Sequence, residues 1–271
     1  MFPTPIQNYS LKVNVAYRLL LILTLLVWLL PLIAVMLTSI RTFEDVLAGN
    51  YWTFPEETAL ISNYSKVFEN GKMGRFFLNS LIITLPTVFG TLFLSSLAGY
   101  SLAMHRFKLN LLVFAMFIAG NFVPFQILMI PVRNISIEMG MYNTHLGLII
   151  FHIAFQTGFC TFFLRNFIKE LPFELIEAAR ADGATEWTIY RKIILPLVIP
   201  ALAALGVLEF TFIWNDYFWA LVLTQGDSVK PITVGLDVLR GQWTTSWNLV
   251  SAGSVVAALP PVIMLDRKSV V

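Results

Sequence analysis

Charge is scarce in this sequence. Aspartate, glutamate, lysine and arginine make up 13% of its 271 residues, about half the roughly 25% of an ordinary soluble domain. Water is therefore not its main solvent. The charges that remain nearly cancel, at a formal +2, so there is no basic surface for nucleic acid. Cysteine occurs once, as Cys160. That excludes an intrachain disulfide and, with no CxxC, argues against a zinc cluster. The three histidines are His105, His145 and His152. His145 and His152 share a helix face, but without nearby carboxylates they are a poor metal pair, and no metal site is expected. The sequence also lacks a G-x-x-x-x-G-K-[ST] phosphate loop, so it should not bind ATP itself. No HExxH, Ser/His/Asp set or paired catalytic carboxylates support a membrane-embedded enzyme, and no catalytic residue is assigned.

What the chain has instead is long apolar runs. A helix crossing the hydrocarbon needs about 20 apolar residues, and its backbone must pair internally. Six segments qualify: about 17–38, 76–104, 111–131, 145–164, 197–224 and 251–265. The first exceeds the 7–15 residues of a signal h-region, and no A-x-A follows, so a retained span is expected. With the N-terminus in the cytoplasm, eleven of the 18 lysines and arginines fall in inside segments and seven outside. This bias favours a cytoplasmic N-terminus. Residues 1–16 form that terminus, 17–265 the transmembrane domain, and 166–196 a cytoplasmic loop within it. The outer segment 39–75 holds Tyr51, Trp52, Phe54 and Tyr64, which suit an interface. Segment 225–250, with Gly226, Gly241, Trp243 and Trp247, reads as an ordered loop, re-entrant or partner-facing.

The cytoplasmic loop carries the polar stretch EAARADGATEWTIYRKIILP, Glu177 to Pro196. Pro172 suits the first position of a helix, where its missing N–H costs nothing. Glu174 in the first turn complements the helix dipole. Gly183 fits a left-handed C-terminal cap, and Thr185 a following N-cap. The second helix is expected to run to Leu195, with Pro196 opening the fifth span. Small residues at Ala178, Ala179 and Ala181 let another surface approach the backbone. Two readings fit: an amphipathic hairpin on the inner leaflet, or a rigid knob that docks into a soluble partner.

Glu177-Ala178-Ala179, then Gly183, Ile193 and Leu195-Pro196, resembles the EAA signature of bacterial ABC importer membrane subunits. NSLIIT at 79–84, WNDYFWAL at 214–221 and ALPP at 258–261 extend the likeness over about 15–263. It is nearest the carbohydrate-uptake, binding-protein-dependent permeases of the MalG type. The resemblance implies an all-α membrane protein with six transmembrane helices and the type I ABC importer permease fold, in the bacterial inner membrane. It implies three kinds of partner besides the bilayer and a sugar: a second, MalF-like permease, two ATP-binding subunits and an extracytoplasmic sugar-binding protein. ATP and Mg would bind in the partner subunits, and no cofactor is expected here. By the same resemblance Phe173, Glu174, Glu177, Ala178, Ala179, Asp182 and Gly183 belong to a coupling helix seated in a cleft of the ATPase. The 225–250 loop would face the binding protein.

The fifth span carries Glu209, Asn215 and Asp216 among Trp214, Tyr217, Phe218 and Trp219. Ionisable residues in a span usually face the bundle or a wet path. Polar groups for hydroxyls beside aromatic faces for C–H surfaces are what a sugar needs. Asn121, near the end of the third span where Pro124 and Pro131 can bend or break the helix, joins them as a candidate path residue. Helix packing, with Asn215 and Asp216 capping a helix or bonding a neighbouring span and the aromatics forming an interfacial belt, explains the same residues. Asn79 is a candidate for a bond between spans, while Gly90 and Gly99 suit close helix packing.

The sixth span counts only about 15 residues, roughly 22 Å of helix. Snorkelling of Lys and Arg would help, but a truncated last helix is the expectation, with 266–271 a non-native tail. The alternative to an ABC permease is a self-contained ion-coupled carrier with Glu209 and Asp216 as proton relay.

Overall fold

The computed structural model describes residues 10–55, 57–69, 71–240 and 245–265. Among these the chain is helical, in the order α1 Leu11–Ser39, α2 Phe43–Leu47, α3 Leu60–Glu69, α4 Met73–Met104, α5 Asn110–Asn121, α6 Met129–Glu138 and α7 His145–Lys169. There follow α8 Glu174–Ala181, α9 Glu186–Ile189, α10 Leu195–Trp214, α11 Phe218–Leu223, α12 Ile232–Gly235 and α13 Trp247–Leu265. Five helices are long and apolar enough to cross a membrane, and six if the α5–α6 pair counts as one bent span. The six expected crossings are met in that sense. Contacts divide the chain into two units: residues 1–71 with 239–256, and residues 72–238 with 257–271.

In the first unit α1 is apolar on every side, as a helix surrounded by hydrocarbon should be. Its C-terminal end is tied down by polar groups. Asn63 donates to the carbonyls of Ser39 and Arg41 at 2.9 and 2.8 Å, and Asn248 donates to Asn63 at 3.0 Å. Arg41, wholly buried, pairs with Asp45 on α2, whose N-terminus Thr42 caps.

The second unit is built on α4 against α7. Along α4 the residues Thr84, Thr87, Thr91 and Ser95 are buried at helical spacing. Small side chains let membrane helices approach closely, and the glycines go further. A Cβ on Gly99 would stand 3.1 Å from the Arg165 nitrogen, and one on Gly90 would stand 2.5 Å from Ile153. Asn79 does bond across helices: His145 Nε2 lies 3.0 Å from its Oδ1, and its amide donates to the Lys230 carbonyl at 3.0 Å. Lys72, at the start of α4, pairs with Asp227 at 3.1 Å, and Lys230 also reaches Asp227 at 3.3 Å. Hydrogen bonds from Lys72 and then Lys230 hold the Asp227 carboxyl below its ordinary range.

Several boundaries differ from the sequence expectation. Helix α1 begins at Leu11 rather than about 17, α7 runs on to Lys169 rather than 164, and three other runs also change. The third run is not one straight span, because α5 and the Phe125–Glu138 segment are bent by 90°. Pro124 stands at the break, where it offers no N–H to continue the ladder. Pro131 lies in the first turn of α6, where a missing N–H is harmless. The fifth run stops at Trp214, because the Asp216 carboxylate takes the N–H groups of Trp219 and Ala220 and starts α11 instead. The sixth begins at Trp247, giving 19 residues, about 28 Å of helix against roughly 30 Å of hydrocarbon. Gly241, Trp243 and the 266–271 tail lie outside the described residues.

Candidate functional site

Two places concentrate the polar side chains of the second unit. The first is the hairpin 172–196. Helix α8 ends in a Schellman motif: the Gly183 N–H donates to the Arg180 carbonyl and the Ala184 N–H to the Ala179 carbonyl, each at 3.0 Å. Gly183 has φ +79°, the left-handed conformation its position was expected to need. Thr185 caps α9 by accepting from the Thr188 N–H at 3.3 Å. The helix starts at Glu174, two residues after Pro172, within the usual scatter of helix ends.

Pro196 does not open a new helix. Tyr190–Ile194 forms a π turn that joins α9 to α10 without a break. The wide turn accommodates the proline's missing donor and its ring. The second hairpin helix and the fifth span are therefore one helix.

The hairpin has an inner and an outer side. Ile176, Ile189, Tyr190 and Ile194 are buried with Tyr100, Ile168 and Val198. Glu186 fastens this keel: it accepts from Tyr100 Oη at 2.6 Å and from Arg180 Nε at 3.0 Å, and lies 3.2 Å from His105 Nε2. Ser96 and Tyr190 share a hydroxyl contact at 2.7 Å. On the outer side Phe173, Glu174, Leu175, Glu177, Ala178, Asp182 and Gly183 are exposed, whereas Ala179 is half-buried and packs against the keel, not on the face the resemblance gave it. Phe173 and Leu175 are apolar and stand bare beside carboxylates on this side.

The second place is a cavity of about 430 Å³ where α5, α7 and α10 meet the turn into α11. Its polar lining is Asn121, His152, Gln156, Asn215, Asp216 and Tyr217. Phe125, Phe155, Phe159, Phe212, Phe218 and Trp219 supply aromatic walls. Asp216 is fixed on three sides: by the N–H groups of Trp219 and Ala220 at 3.3 and 2.9 Å, and by His152 Nε2 at 3.5 Å. Tyr217 donates to Asp237 at 2.7 Å, and the Asn215 amide donates to the Thr211 carbonyl at 2.9 Å.

Four of the six path candidates thus come together: Asn121, Asn215, Asp216 and Tyr217. Glu209 and Trp214 lie elsewhere. Glu209 is wholly buried and accepts from the Cys160 thiol at 3.2 Å. Trp214 is also buried and donates its indole N–H to the Ala257 carbonyl at 2.9 Å. Their side chains pack helices together, which was the competing explanation for them. His145 and His152 do not form a pair either, since one bonds Asn79 and the other Asp216. Among the described residues no group of three metal-ligating side chains exists.

His152 and Gln156 are the site residues that the sequence reading did not propose. The signal was present: both are polar, four residues apart on one face of an apolar span, and an intramembrane ionisable group is a functional candidate by default. Treating His152 only as a metal ligand hid it. Glu186 was missed because Tyr100 and His105, two of its three partners, lie more than 80 residues away in the sequence.

Comparison with known proteins gives consistent results. The model of the family described as "Binding-protein-dependent transport system inner membrane component" matches residues 92–265. The osmoprotective compounds uptake permease protein GgtD of Synechocystis is 34% identical over 88% of this chain and 82% of its own. The melibiose/raffinose/stachyose import permease protein MelC of Bacillus subtilis is 33% identical over 87% and 84%. A crystal structure of a bacterial ABC transporter involved in the import of the acidic polysaccharide alginate superposes with a TM-score of 0.83, 24% identity and 97% coverage of each chain. At that identity the likeness is one of fold.

Proposed function

The chain belongs to the binding-protein-dependent transport system inner membrane components, and from that premise we propose that it moves a sugar inward as one permease of an ATP-driven importer. It is a multi-pass inner-membrane transport subunit. The complex we infer contains a second permease, two ATP-binding subunits and an extracytoplasmic sugar-binding protein. ATP and Mg belong to the ATPase partners, and this chain supplies the lever and part of the path. The N-terminus is cytoplasmic, as the lysine and arginine bias favours, which puts the 172–196 hairpin on the ATPase side. A sugar cargo is supported by relatives such as MelC, which imports melibiose, raffinose and stachyose by its name.

The observation that carries this reading is the two-sided hairpin. Its keel is locked to α4, α7 and α10, while the face of α8 that includes Glu177, Ala178 and Gly183 is bare. Closure of the ATPases on that face would drag α8, and the locked keel would turn α10 with it, a rigid-body switch between two packings. A self-contained carrier has no comparable support: its relay residue Glu209 is buried against Cys160 and does not line the cavity.

The test is disulfide trapping in native membrane vesicles. Cys160 is buried, so single cysteines placed from Glu174 to Gly183 report on contact there. A cysteine at Ala178 should cross-link to a cysteine in the cleft of an ATP-binding subunit, in a yield that changes when ATP is added. If no position along α8 traps any ATPase, the reading is wrong. Uptake of a labelled sugar panel by the same vesicles identifies the cargo.

A further inference from the structure

We propose that the α5–α7–α10 cavity is a subsite for an uncharged sugar ring, and that Asp216 makes it reject acidic ones. The proposal rests on the reading of the chain as a sugar permease and adds a charge preference to it.

The size fits, since about 430 Å³ lies within the roughly 300–1,000 Å³ of small-molecule sites. The walls also suit a sugar. Phe155, Phe159 and Trp219 offer aromatic faces, and Asn121, Gln156 and Asn215 bring carboxamides that both donate and accept. What the lining lacks is a cation, for among its residues there is neither lysine nor arginine. His152 is the only group there able to become positive, and Asp216 stands 3.5 Å from it to neutralise that charge. The amino end of α11 would otherwise favour an anion, but Asp216 already occupies its free N–H groups. The arginines nearest in sequence are engaged elsewhere: Arg133 lies over the Tyr142 ring and Arg165 over the Phe114 ring.

A uronate entering this cavity would lose its water without gaining a counter-charge, which is costly. It would also meet a second carboxylate that its anchors hold in place. A neutral sugar meets the opposite situation. An ionised carboxylate has about four lone-pair sites. Two on Asp216 are occupied by the N–H groups of Trp219 and Ala220, His152 Nε2 stands 3.5 Å away, and the carboxylate keeps capacity to accept from a sugar O–H.

The experiment uses the assembled complex in nanodiscs with cysteine replacing Phe125 in the cavity wall. Labelling of that cysteine by a maleimide is timed with and without sugar. The neutral probe is whichever mono- to trisaccharide the complex imports best, and the acidic probe is a uronic-acid oligosaccharide of equal length. At ten times its apparent Kd the neutral sugar should slow labelling roughly tenfold, and the acidic one at equal concentration should leave it within about twofold. In D216N the acidic sugar should begin to protect while the neutral one still does, because asparagine can still cap α11. Equal protection by both sugars in the unaltered cavity overturns the charge preference but leaves the permease reading standing. An imported neutral sugar that does not protect shows that the cavity is not a subsite. A complex that imports no sugar removes the premise itself.

Discussion

Gly183 has φ +79°, and nothing lies within 4 Å of where a Cβ would be. Within this chain a side chain there would meet open space, so its cost to the hairpin's own fold is backbone strain. An L-residue in that conformation costs roughly 1–2 kcal/mol, with Asn the most tolerant and β-branched residues the least. That is enough to fray the last turn of an eight-residue helix. We expect stimulation of ATP hydrolysis by the loaded binding protein to fall in the order Gly, Asn, Ala, Val at position 183, with unstimulated hydrolysis unchanged. A steady-state ATPase assay on the reconstituted complex reads both. Gly183 and Thr185 were legible in the sequence because caps are local: the residue type and its place after a helical stretch carry the whole signal. Glu186 and His152 were not, because what defines them is a partner on another helix. Tyr100 is 86 residues from Glu186, and nothing in the sequence between them marks the pairing.

The α8–α9 hairpin depends on both of its fastenings. The apolar keel supplies most of the adhesion, while Glu186 sets the angle by reaching Tyr100, His105 and Arg180 together. Its side chain is 47% exposed, so its net contribution is modest, about 1 kcal/mol, below the usual range for bonds to buried charges. Function should be more sensitive than stability. E186A is expected to assemble normally yet hydrolyse more ATP per sugar imported, and to expose the 181–185 corner to protease. E186Q, which keeps a bond to Tyr100, should fall between E186A and the unaltered chain. Parallel uptake and phosphate-release measurements give the ratio, and an unchanged ratio in E186A would show that the keel alone carries the force. At this scale the sequence told where helices exist and missed how they are joined. Hydropathy detects an apolar run, but the bend after Phe122 and the stop at Trp214 are decided by one proline and one carboxylate competing for backbone donors. The same competition, resolved the other way by a π turn, carries the helix straight through Pro196.

For the transport unit as a whole, the consequence lies in that continuity. Glu186–Trp214 is a single run of 29 residues, roughly 43 Å of helix. It begins at the Glu186 fastening and ends beside Asn215 and Asp216 in the cavity wall. This helix joins the fastening of the ATPase-facing hairpin at one end to the proposed sugar contact at the other. Pro200 already removes one ladder hydrogen bond near its middle, so it transmits motion only while the rest of that middle stays stiff. Ala203 and Ala204 lie near that middle. Replacing both with glycine removes little side-chain volume but costs roughly 2 kcal/mol of helix propensity and loosens the rod. The double variant should still bind sugar in the cavity, and its α8 should still cross-link to the ATPase with ATP-dependent yield. The two ends should stop answering each other: adding ATP should no longer change the maleimide reactivity of a cysteine at Phe125, and uptake should fall well below the remaining ATP hydrolysis. If cavity reactivity still follows ATP in the glycine variant, motion reaches the cavity through α4 and α7, and the rod is not the route.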